Sequence, residues 1–319
     1  MTVALRKQQE THEAAVIPDE WFVPKTKNKG EEEAVVRPSL SYWKDAWRRL
    51  KKNKLAMAGL LFLVFLTVMA VIGPMISPHS VAEQNLRNQN LPPSGDYWFG
   101  TDKLGRDMFV RVWYGARISL FVGVVAALAD FIIGIIYGGV SGYKGGRTDH
   151  IMMRIVEILY GLPYLLVVIL LMVVMGPGLL TIIVALSATG WIGMARIVRG
   201  QVLQIKNYEY VLASKTFGTK TARIIRKNLL PNTMGPIIVQ ITLTVPSAIF
   251  AEAFLSFLGL GIQSPYTSWG MMASDGLSSI LTGHWWRLVF PAFFISATMF
   301  AFNVVGDGLQ DALDPRLRR

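Results

Sequence analysis

The stretch Glu209-Tyr210-Val211-Leu212-Ala213-Ser214-Lys215-Thr216-Phe217-Gly218, which runs on to Leu230-Pro231-Asn232, lies between two strongly apolar segments. It has the composition of a helix that is interrupted at Gly218, because glycine has no Cβ and can turn the chain where other residues would clash. Past this break, apolar residues recur at helical spacing beside a run of lysine and arginine: Ala222, Ile225 and Leu229. We expect Pro231 to end this second helix and to start the next apolar segment, since proline has no backbone N–H.

Outside this loop the chain is hydrophobic in separate blocks. It has 319 residues, of which 52% are hydrophobic, and its mean hydropathy is +0.40. A helix needs about 20 apolar residues to cross the core of a bilayer. Blocks of about that length occur at 55–76, 116–140, 151–174, 179–197, 236–257 and 288–305. The sequence therefore predicts an all-α polytopic membrane protein with six transmembrane helices.

Lysine and arginine concentrate in alternate loops, and their distribution predicts the topology. They cluster before the first block, after the second, after the fourth and after the sixth, whereas residues 77–112 balance both signs and 259–285 carry only Asp275. Because basic loops stay in the cytoplasm, we expect both termini to be cytoplasmic. The net charge of +11 is explained by this topology, so it does not indicate a nucleic-acid partner.

Composition divides the chain into four regions. Residues 1–40 mix charges with few apolar side chains, which predicts a flexible cytoplasmic tail. Residues 41–54 place Trp43 and Trp47 beside basic residues, which predicts a short helix at the interface with membrane lipid, although a docking helix for a partner is the alternative. The expected regions are 1–40; 41–112, with this helix, the first transmembrane helix and an extracytoplasmic segment; 113–309, a core with five transmembrane helices and the cytoplasmic loop 206–231; and 310–319, a cytoplasmic C-terminal tail.

Glycine and proline predict how the transmembrane helices meet and bend. Gly134, Gly138 and Gly142 recur every four residues and predict a flat stripe on which another helix packs closely. Gly176-Pro177-Gly178 predicts a tight turn, so that the third and fourth transmembrane helices form a hairpin. Pro163 and Pro246 fall inside the third and fifth blocks and predict kinks, which are either structural or hinges.

The sequence lacks the motifs of most catalytic and cofactor sites. It contains no phosphate-binding Gly-x-x-x-x-Gly-Lys-[Ser/Thr] motif, no nucleophile elbow and no cysteine. Its histidines are scattered and show no metal-ligand spacing, and the acids of the 77–112 segment lack the spacing of a calcium loop. We therefore expect no cofactor, no metal and no catalytic residue in this chain.

Ionisable residues within the apolar blocks are candidates for function, because each costs several kcal/mol unless it is paired or faces a wet cavity. Asp130, Glu157 and Glu252 qualify, with Arg117 and Arg154 as possible partners, and Asn303 adds a further polar group. Arg154 and Glu157 lie three residues apart and are expected to pair with each other. Asp130 has no such neighbour and could join a proton relay, which would indicate a proton-coupled secondary carrier.

From residue 41 to the C-terminus the chain is similar to the C-type membrane subunits of bacterial oligopeptide ABC importers, in the peptide/nickel permease family. Many short motifs carry this resemblance in order: Asn53-Lys-Leu-Ala, Trp98-Phe-Gly-Thr-Asp, Gly105-Arg-Asp, Gly115-Ala-Arg-Ile-Ser, Gly146-Arg-Thr-Asp, Ala195-Arg-Ile-Val-Arg199-Gly, Glu252-Ala-Phe-Leu-Ser-Phe-Leu-Gly-Leu-Gly261, Ser268-Trp-Gly and Phe302-Asn-Val-Val-Gly-Asp-Gly-Leu-Gln-Asp-Ala-Leu-Asp-Pro315.

The loop quoted first resembles the cytoplasmic coupling loop of this family, in which Glu-Ala-Ala precedes a glycine and a later Leu-Pro. The spacing from Gly218 to Leu230-Pro231 fits the family pattern, but Leu212-Ala213-Ser214 occupy the Glu-Ala-Ala slots and Asn228 the isoleucine slot. The nearest acid, Glu209, lies three residues early. The resemblance implies that these residues couple the chain to an ATPase: Glu209, Ala213, Ser214, Gly218, Leu230 and Pro231. A cationic loop that lies on anionic lipid is the alternative.

The resemblance also implies a type I ABC importer permease fold and a set of partners in a bacterial cell membrane. These are a second homologous permease subunit, two cytoplasmic ATP-binding subunits and an extracytoplasmic peptide-binding protein, with a peptide as substrate. Dipeptide, nickel and glutathione importers share most of the motifs and remain alternatives within the family. A proton-coupled carrier, and a membrane scaffold or enzyme, remain alternatives outside it.

Overall fold

The computed structural model describes residues 42–263 and 266–313 of the chain. Most of these residues are helical, and none of them forms a β-strand beyond an isolated bridge between Thr101 and Asp107. The predicted N-terminal tail, 1–40, lies outside the described residues, as do residues 314–319 of the predicted C-terminal tail. The description below concerns the described part alone.

The helices follow one another along the chain as α1 (Tyr42–Lys52), α2 (Lys54–Ile76), α3 (Met108–Lys144), α4 (Gly146–Tyr160), α5 (Tyr164–Met175), α6 (Leu179–Ile205), α7 (Glu209–Thr216), α8 (Thr221–Ile224), α9 (Leu230–Phe257), α10 (Trp269–Leu277) and α11 (Trp286–Leu313). A short 3₁₀ turn covers Leu86–Asn88, and a π-helical turn, Ile225–Leu229, joins α8 to α9.

Within the described residues, five helical segments are long and apolar enough to cross a bilayer: α2, α3, α6, the continuous stretch Thr221–Phe257, and α11. Helices α4 and α5 supply a sixth crossing if they count as one span, but they meet at 83°. The kink expected at Pro163 is therefore a complete break of the predicted 151–174 helix. Proline disfavours helical geometry at Leu162 and offers no N–H to the preceding turn.

The first two helices are separate because Asn53 starts a new one. Its side-chain Oδ1 accepts a hydrogen bond from the backbone N–H of Ala56 at 3.1 Å, which satisfies one of the free donors of the first turn of α2. Helix α1 confirms the predicted helix before the first span. Trp43 and Trp47 remain about half exposed on its surface, whereas Leu50 is buried.

The predicted glycine stripe of the second span is confirmed, and α6 is the helix that packs on it. A Cβ added at Gly134 would lie 2.6 Å from the Cβ of Met194, and one at Gly142 would lie 2.9 Å from the carbonyl oxygen of Arg199. Gly138 faces the same helix one turn further along. Larger residues at these positions would separate α3 from α6, so this pair of helices depends on the stripe.

Helix α2 is joined to α3 by a side chain that compensates for a proline. Pro74 lies inside α2 and has no N–H to donate to the carbonyl oxygen of Ala70, four residues earlier. The Nε of Arg117, on α3, donates a hydrogen bond to that carbonyl oxygen instead, and its Nη2 donates to the carbonyl of Val71 at 2.7 Å. Arg117 is thus not a partner of an acid in the spans, as the sequence had suggested; it satisfies the backbone of a neighbouring helix.

Helix α10 was not predicted from the sequence, and it packs against α3, α9 and α11. Trp269 of α10 is fully buried, and its indole Nε1 donates to the carbonyl oxygen of Val112 at 2.9 Å. Trp286, at the start of α11, donates from Nε1 to the carbonyl oxygen of Thr101 at 3.1 Å. Both indoles therefore bury their rings while each N–H finds a backbone acceptor.

Candidate functional site

The predicted helix break at Gly218 is confirmed, and it ends α7 in a Schellman motif. The N–H of Gly218 donates to the carbonyl oxygen of Lys215 at 3.0 Å, and the N–H of Thr219 donates to that of Ser214 at 3.2 Å. Gly218 has φ of +70°, in the left-handed region that L-residues with a side chain rarely adopt. The space around its Cα is open, so the backbone conformation alone requires glycine here.

Two residues that depart from the family pattern contact each other across this turn. The side-chain Nδ2 of Asn228 donates to the Oγ of Ser214 at 2.9 Å, and that Oγ donates to the carbonyl oxygen of Tyr210 at 2.9 Å. The polar residue in the isoleucine slot is therefore matched by a polar residue on α7. This contact was not predicted, because Ser214 and Asn228 were each compared with the family pattern separately.

The second helix of the loop does not end at Pro231, and the expectation that it would is wrong. The chain continues as one helix from Thr221 to Phe257, with the π-helical turn just before the proline. In this turn the N–H of Leu230 donates to the carbonyl oxygen of Ile225, five residues earlier. Pro231 follows Leu230 directly after the π turn and lies inside this continuous helix.

Helix α7 lies against the bundle on one side and is exposed on the other. Val211 is buried with Ile224 and Leu229 in a cluster that includes residues of α6 and α9. On the opposite side, Leu212 is 46% exposed and Phe217 is 86% exposed. These two side chains are free to contact a partner protein or lipid.

The other residues implied as ATPase contacts differ in exposure. Glu209, Ala213 and Pro231 are exposed, and Leu230 is half-buried. The structure thus brings Glu209, Ala213, Ser214 and Gly218 together on α7 and its turn, whereas Leu230 and Pro231 belong to the helix that enters the next span.

An ion pair fixes the end of α6 that leads into this loop. Arg199 donates from Nε and Nη2 to the two carboxylate oxygens of Asp149, both at 2.6 Å, and Ser141 donates to Oδ1 of the same carboxylate. Lys206 donates from Nζ to the carbonyl oxygen of Gly142 at 3.0 Å, near the C-terminal end of α3. Lys206 therefore satisfies a helix-terminal carbonyl.

Asp130 lies within α3 and is buried against α6. A Cβ added at Gly190 would lie 2.7 Å from Oδ1 of Asp130, so the glycine leaves room for the carboxylate. That Oδ1 has no hydrogen-bond partner among the described residues. Neither suggested arginine pairs with it, because Arg117 binds carbonyls of α2 and Arg154 donates to Glu157.

Glu252 lies within α9 and is fully buried in a network of hydroxyl groups. Its Oε1 accepts a hydrogen bond from Ser256 Oγ at 2.7 Å, and its Oε2 accepts one from Ser119 Oγ at 3.3 Å. Ser119 in turn accepts the backbone N–H of Trp269 at 3.2 Å. The network joins α3, α9 and the start of α10, which favours a structural role for Glu252.

The remaining polar candidates are exposed on this chain. Glu157 pairs with Arg154 at 3.1 Å, as expected from their spacing, and both side chains are more than half exposed. Asn303 is exposed on α11. The structure therefore does not bring Asp130, Glu157, Glu252 and Asn303 together into one site.

A cavity of about 390 Å³ lies between α6, α9 and α11. Apolar side chains such as Val239 and Leu243 line most of it, and Gln240 and Gln310 supply its side-chain amides. None of the described residues that line it is charged. Such a surface can bind amide groups and apolar side chains without selecting for charge.

Comparison with known families matches most of the chain. Residues 130–319 match the family described as binding-protein-dependent transport system inner membrane component. Residues 41–93 match the N-terminal TM domain of oligopeptide transport permease C. Together the two matches leave out residues 1–40 and 94–129.

Several named proteins are similar to this chain over nearly all of its length. The dipeptide transport system permease protein DppC of Bacillus subtilis is 77% identical, over 98% of this chain and 97% of that protein. The oligopeptide transport system permease protein OppC of the same organism is 60% identical, over 95% and 99%. The OppC protein of Escherichia coli K12 is 46% identical, over 87% and 92%.

Among solved structures, an inward-facing form of the MetNI methionine ABC transporter is similar, with a TM-score of 0.50 and 21% identity. The match covers 63% of this chain and 97% of that one. At this identity the likeness concerns the fold alone. It confirms the fold class that the resemblance implied.

Proposed function

The chain belongs to the family of binding-protein-dependent transport system inner membrane components, and on that premise we propose that it is a permease subunit of an ATP-driven peptide importer. It forms half of the translocation pathway and transmits the motion of ATPase subunits to the membrane helices. The relatives with the highest identities quoted above are named as dipeptide and oligopeptide permeases, which supports peptides as the substrate class.

The observation that supports coupling most directly is the geometry of residues 206–231. Helix α7 is attached to the bundle through Val211 and through the Ser214–Asn228 hydrogen bond, while Leu212 and Phe217 are exposed on its other side. A rigid helix that presents apolar side chains next to a transmembrane helix can transmit a push from a docked subunit. We propose that α7 and the Gly218 turn dock in a groove of the ATPase.

The proposed complex contains a second homologous permease subunit, two cytoplasmic ATP-binding subunits and an extracytoplasmic peptide-binding protein. In this complex the ATP-binding subunits catalyse ATP hydrolysis, and this chain forms half of the translocation pathway. The cavity between α6, α9 and α11 supports this assignment, because Gln240 and Gln310 can bind peptide amides without selecting for the charge of the side chains.

The test is peptide uptake by the assembled transporter in vesicles loaded with ATP. We expect uptake of a labelled dipeptide or pentapeptide only when both ATPase subunits and the binding protein are present. Substitution of the phosphate-binding lysine in the ATPases should abolish it, while this chain alone should hydrolyse no ATP. Uptake that persists with inactive ATPases and follows a proton gradient would favour a carrier instead, and Asp130→Asn would then be expected to abolish that uptake.

We also propose that both termini and the loops 143–150 and 199–231 are cytoplasmic, and that 77–112 and 259–285 are outside. The chain has no cysteine, so single cysteines can be introduced at exposed positions without removing native ones. We expect an impermeant thiol reagent to label Ser94→Cys and Ser278→Cys in intact cells, and Lys220→Cys only after the membrane is opened. Labelling of Lys220→Cys but not Ser94→Cys in intact cells would contradict this topology.

A further inference from the structure

Basic residues crowd the short segment that precedes the first span. Residues 42–54, which comprise α1, Asn53 and the first residue of α2, hold six lysines and arginines and one acid, Asp45. The carboxylate of Asp45 is occupied within α1, because it accepts hydrogen bonds from Arg48 at 3.0 Å and from Arg49 at 2.9 Å. Four lysines of the segment are exposed and form no ion pair with a carboxylate of the described residues: Lys44, Lys51, Lys52 and Lys54.

Two tryptophans lie beside part of this charge. Trp43, Trp47 and Lys51 follow one another at intervals of four residues, so they form one stripe along α1. Trp43 is 53% exposed and Trp47 is 46% exposed. The Nζ of Lys51 lies 5.3 Å from the centre of the Trp47 ring. Such a stripe suits the boundary between acyl chains and headgroups, because the rings are apolar while the amine attracts phosphate.

A different side of α1 holds the helix on the bundle. Leu50 is buried in a small cluster with Ala56 of α2 and Ala312 of α11. Gly308 leaves room for this contact, since a Cβ added there would lie 3.2 Å from Cδ1 of Leu50. Helix α1 is therefore fixed against the end of α11 in an orientation that leaves the stripe of Trp43, Trp47 and Lys51 exposed.

The position of α1 along the chain keeps this stripe close to the bilayer. Only Asn53 separates α1 from α2, the first helix that is long and apolar enough to cross a membrane. Because Asn53 caps the first turn of α2, the span begins directly where α1 ends. Clusters of about four to eight lysines and arginines next to a span attract anionic lipids. The charge and the place of α1 thus favour lipid over an acidic surface of a partner protein.

We propose that the stripe of α1 and the lysine beside it, Lys44, bind the headgroups of anionic phospholipids in the leaflet that α2 enters. The amines of Lys44 and Lys51 contact lipid phosphates, and the rings of Trp43 and Trp47 lie at the level of the glycerol groups. Because Leu50 joins α1 to α11, bound anionic lipid stabilises the end of the last helix as well. The proposal does not depend on which substrate the transporter carries.

The experiment uses the transporter purified with all its subunits and reconstituted in nanodiscs, with a fluorophore attached at Lys52→Cys. The chain has no native cysteine, so partner subunits without reactive cysteines confine the label to α1. Phosphatidylglycerol and phosphatidylcholine that carry the same quencher on an acyl chain are added separately. We expect phosphatidylglycerol to quench at an about tenfold lower mole fraction than phosphatidylcholine in about 0.1 M salt. In about 1 M salt the Debye length falls from about 10 Å to about 3 Å, so this preference should disappear.

Lys44→Gln combined with Lys51→Gln should reduce the preference to about twofold or less. The matched control is Lys144→Gln combined with Arg147→Gln, which removes two exposed basic residues where α3 meets α4 and should keep the preference. The salt dependence is measured without these substitutions, so it tests the proposal even if the α1 variant fails to assemble. Equal quenching by the two lipids in about 0.1 M salt, or a preference that the α1 variant retains, would overturn the proposal. Absence of quenching by either lipid would show that protein covers α1, and would overturn it as well.

Discussion

Gly218→Val is expected to weaken docking of the ATPase subunits and to reduce peptide uptake together. The residue has φ of +70°, and a β-branched side chain held in that region costs on the order of 1–3 kcal/mol of backbone strain. No neighbouring atom lies within 4 Å of a Cβ at this position, so the effect comes from the backbone alone. Because the strain disfavours the docking-competent turn, we expect affinity for the ATPase to fall by about 5- to 150-fold.

The control is Gly200→Ala, which adds a side chain to a helical glycine of α6 that also has open space around it and no left-handed conformation. The measurements are co-purification of the ATPase subunits with each variant and uptake of a labelled peptide by the same preparations. Membrane insertion should be the same for both variants, since the turn lies outside the predicted spans. Normal docking and normal uptake in Gly218→Val would mean that residues 206–231 are only a basic connector beside the membrane.

Arg117→Leu is expected to destabilise the chain, and Pro74→Ala is expected to rescue it. The substitution leaves the carbonyl oxygen of Ala70 without the donor that replaces the missing N–H of Pro74. An unpaired buried carbonyl costs about 1–3 kcal/mol, and within a bilayer no water compensates for it. Alanine at position 74 restores the N–H, so the double variant should recover most of the loss.

Stability is measured by unfolding in mixed detergent micelles, as a cycle of wild type, two single variants and the double variant. A coupling free energy of about 1 kcal/mol or more between positions 74 and 117 is expected. Arg48→Leu serves as the control, because Arg48 is largely exposed and its surface ion pair with Asp45 at 3.0 Å contributes little to stability. Strictly additive effects of the two substitutions would show that Arg117 does not act through the proline.

The sequence predicted well those features for which the presence of one residue type has a single physical explanation. Gly218 was expected at a turn because no other residue takes a left-handed conformation as easily, and the structure has that turn. The glycines at 134, 138 and 142 were expected to face a helix because only close packing explains their spacing, and α6 packs there. The pair Arg154–Glu157 followed from helical spacing alone.

The features that the sequence did not predict depend on residues far apart in the chain. Arg117, which donates to the carbonyl oxygen of Ala70, lies 47 residues from it along the chain. Asp149 and Arg199, which form an ion pair, are 50 residues apart. No local pattern identifies such partners, and the acids that the sequence suggests as partners of Arg117 are therefore wrong. At Pro163 the sequence correctly predicts that the helix bends. Whether the bend is a kink or a complete break depends on how α4 and α5 pack against the other helices.

The π-helical turn before Pro231 has a consequence for the direction in which α7 leaves the bundle. A π turn holds one residue more than the α-helical turn that it replaces, and each residue of an α-helix accounts for about 100° of rotation and 1.5 Å of rise. Because the π turn absorbs this residue, deleting one residue within Ile225–Leu229 would leave an α-helical turn of nearly the same rotation, and α7 and Phe217 would keep nearly the same orientation around the axis of α9. We therefore expect such a deletion to change the backbone hydrogen bonds of the turn and to leave the exposed face of α7 where it is.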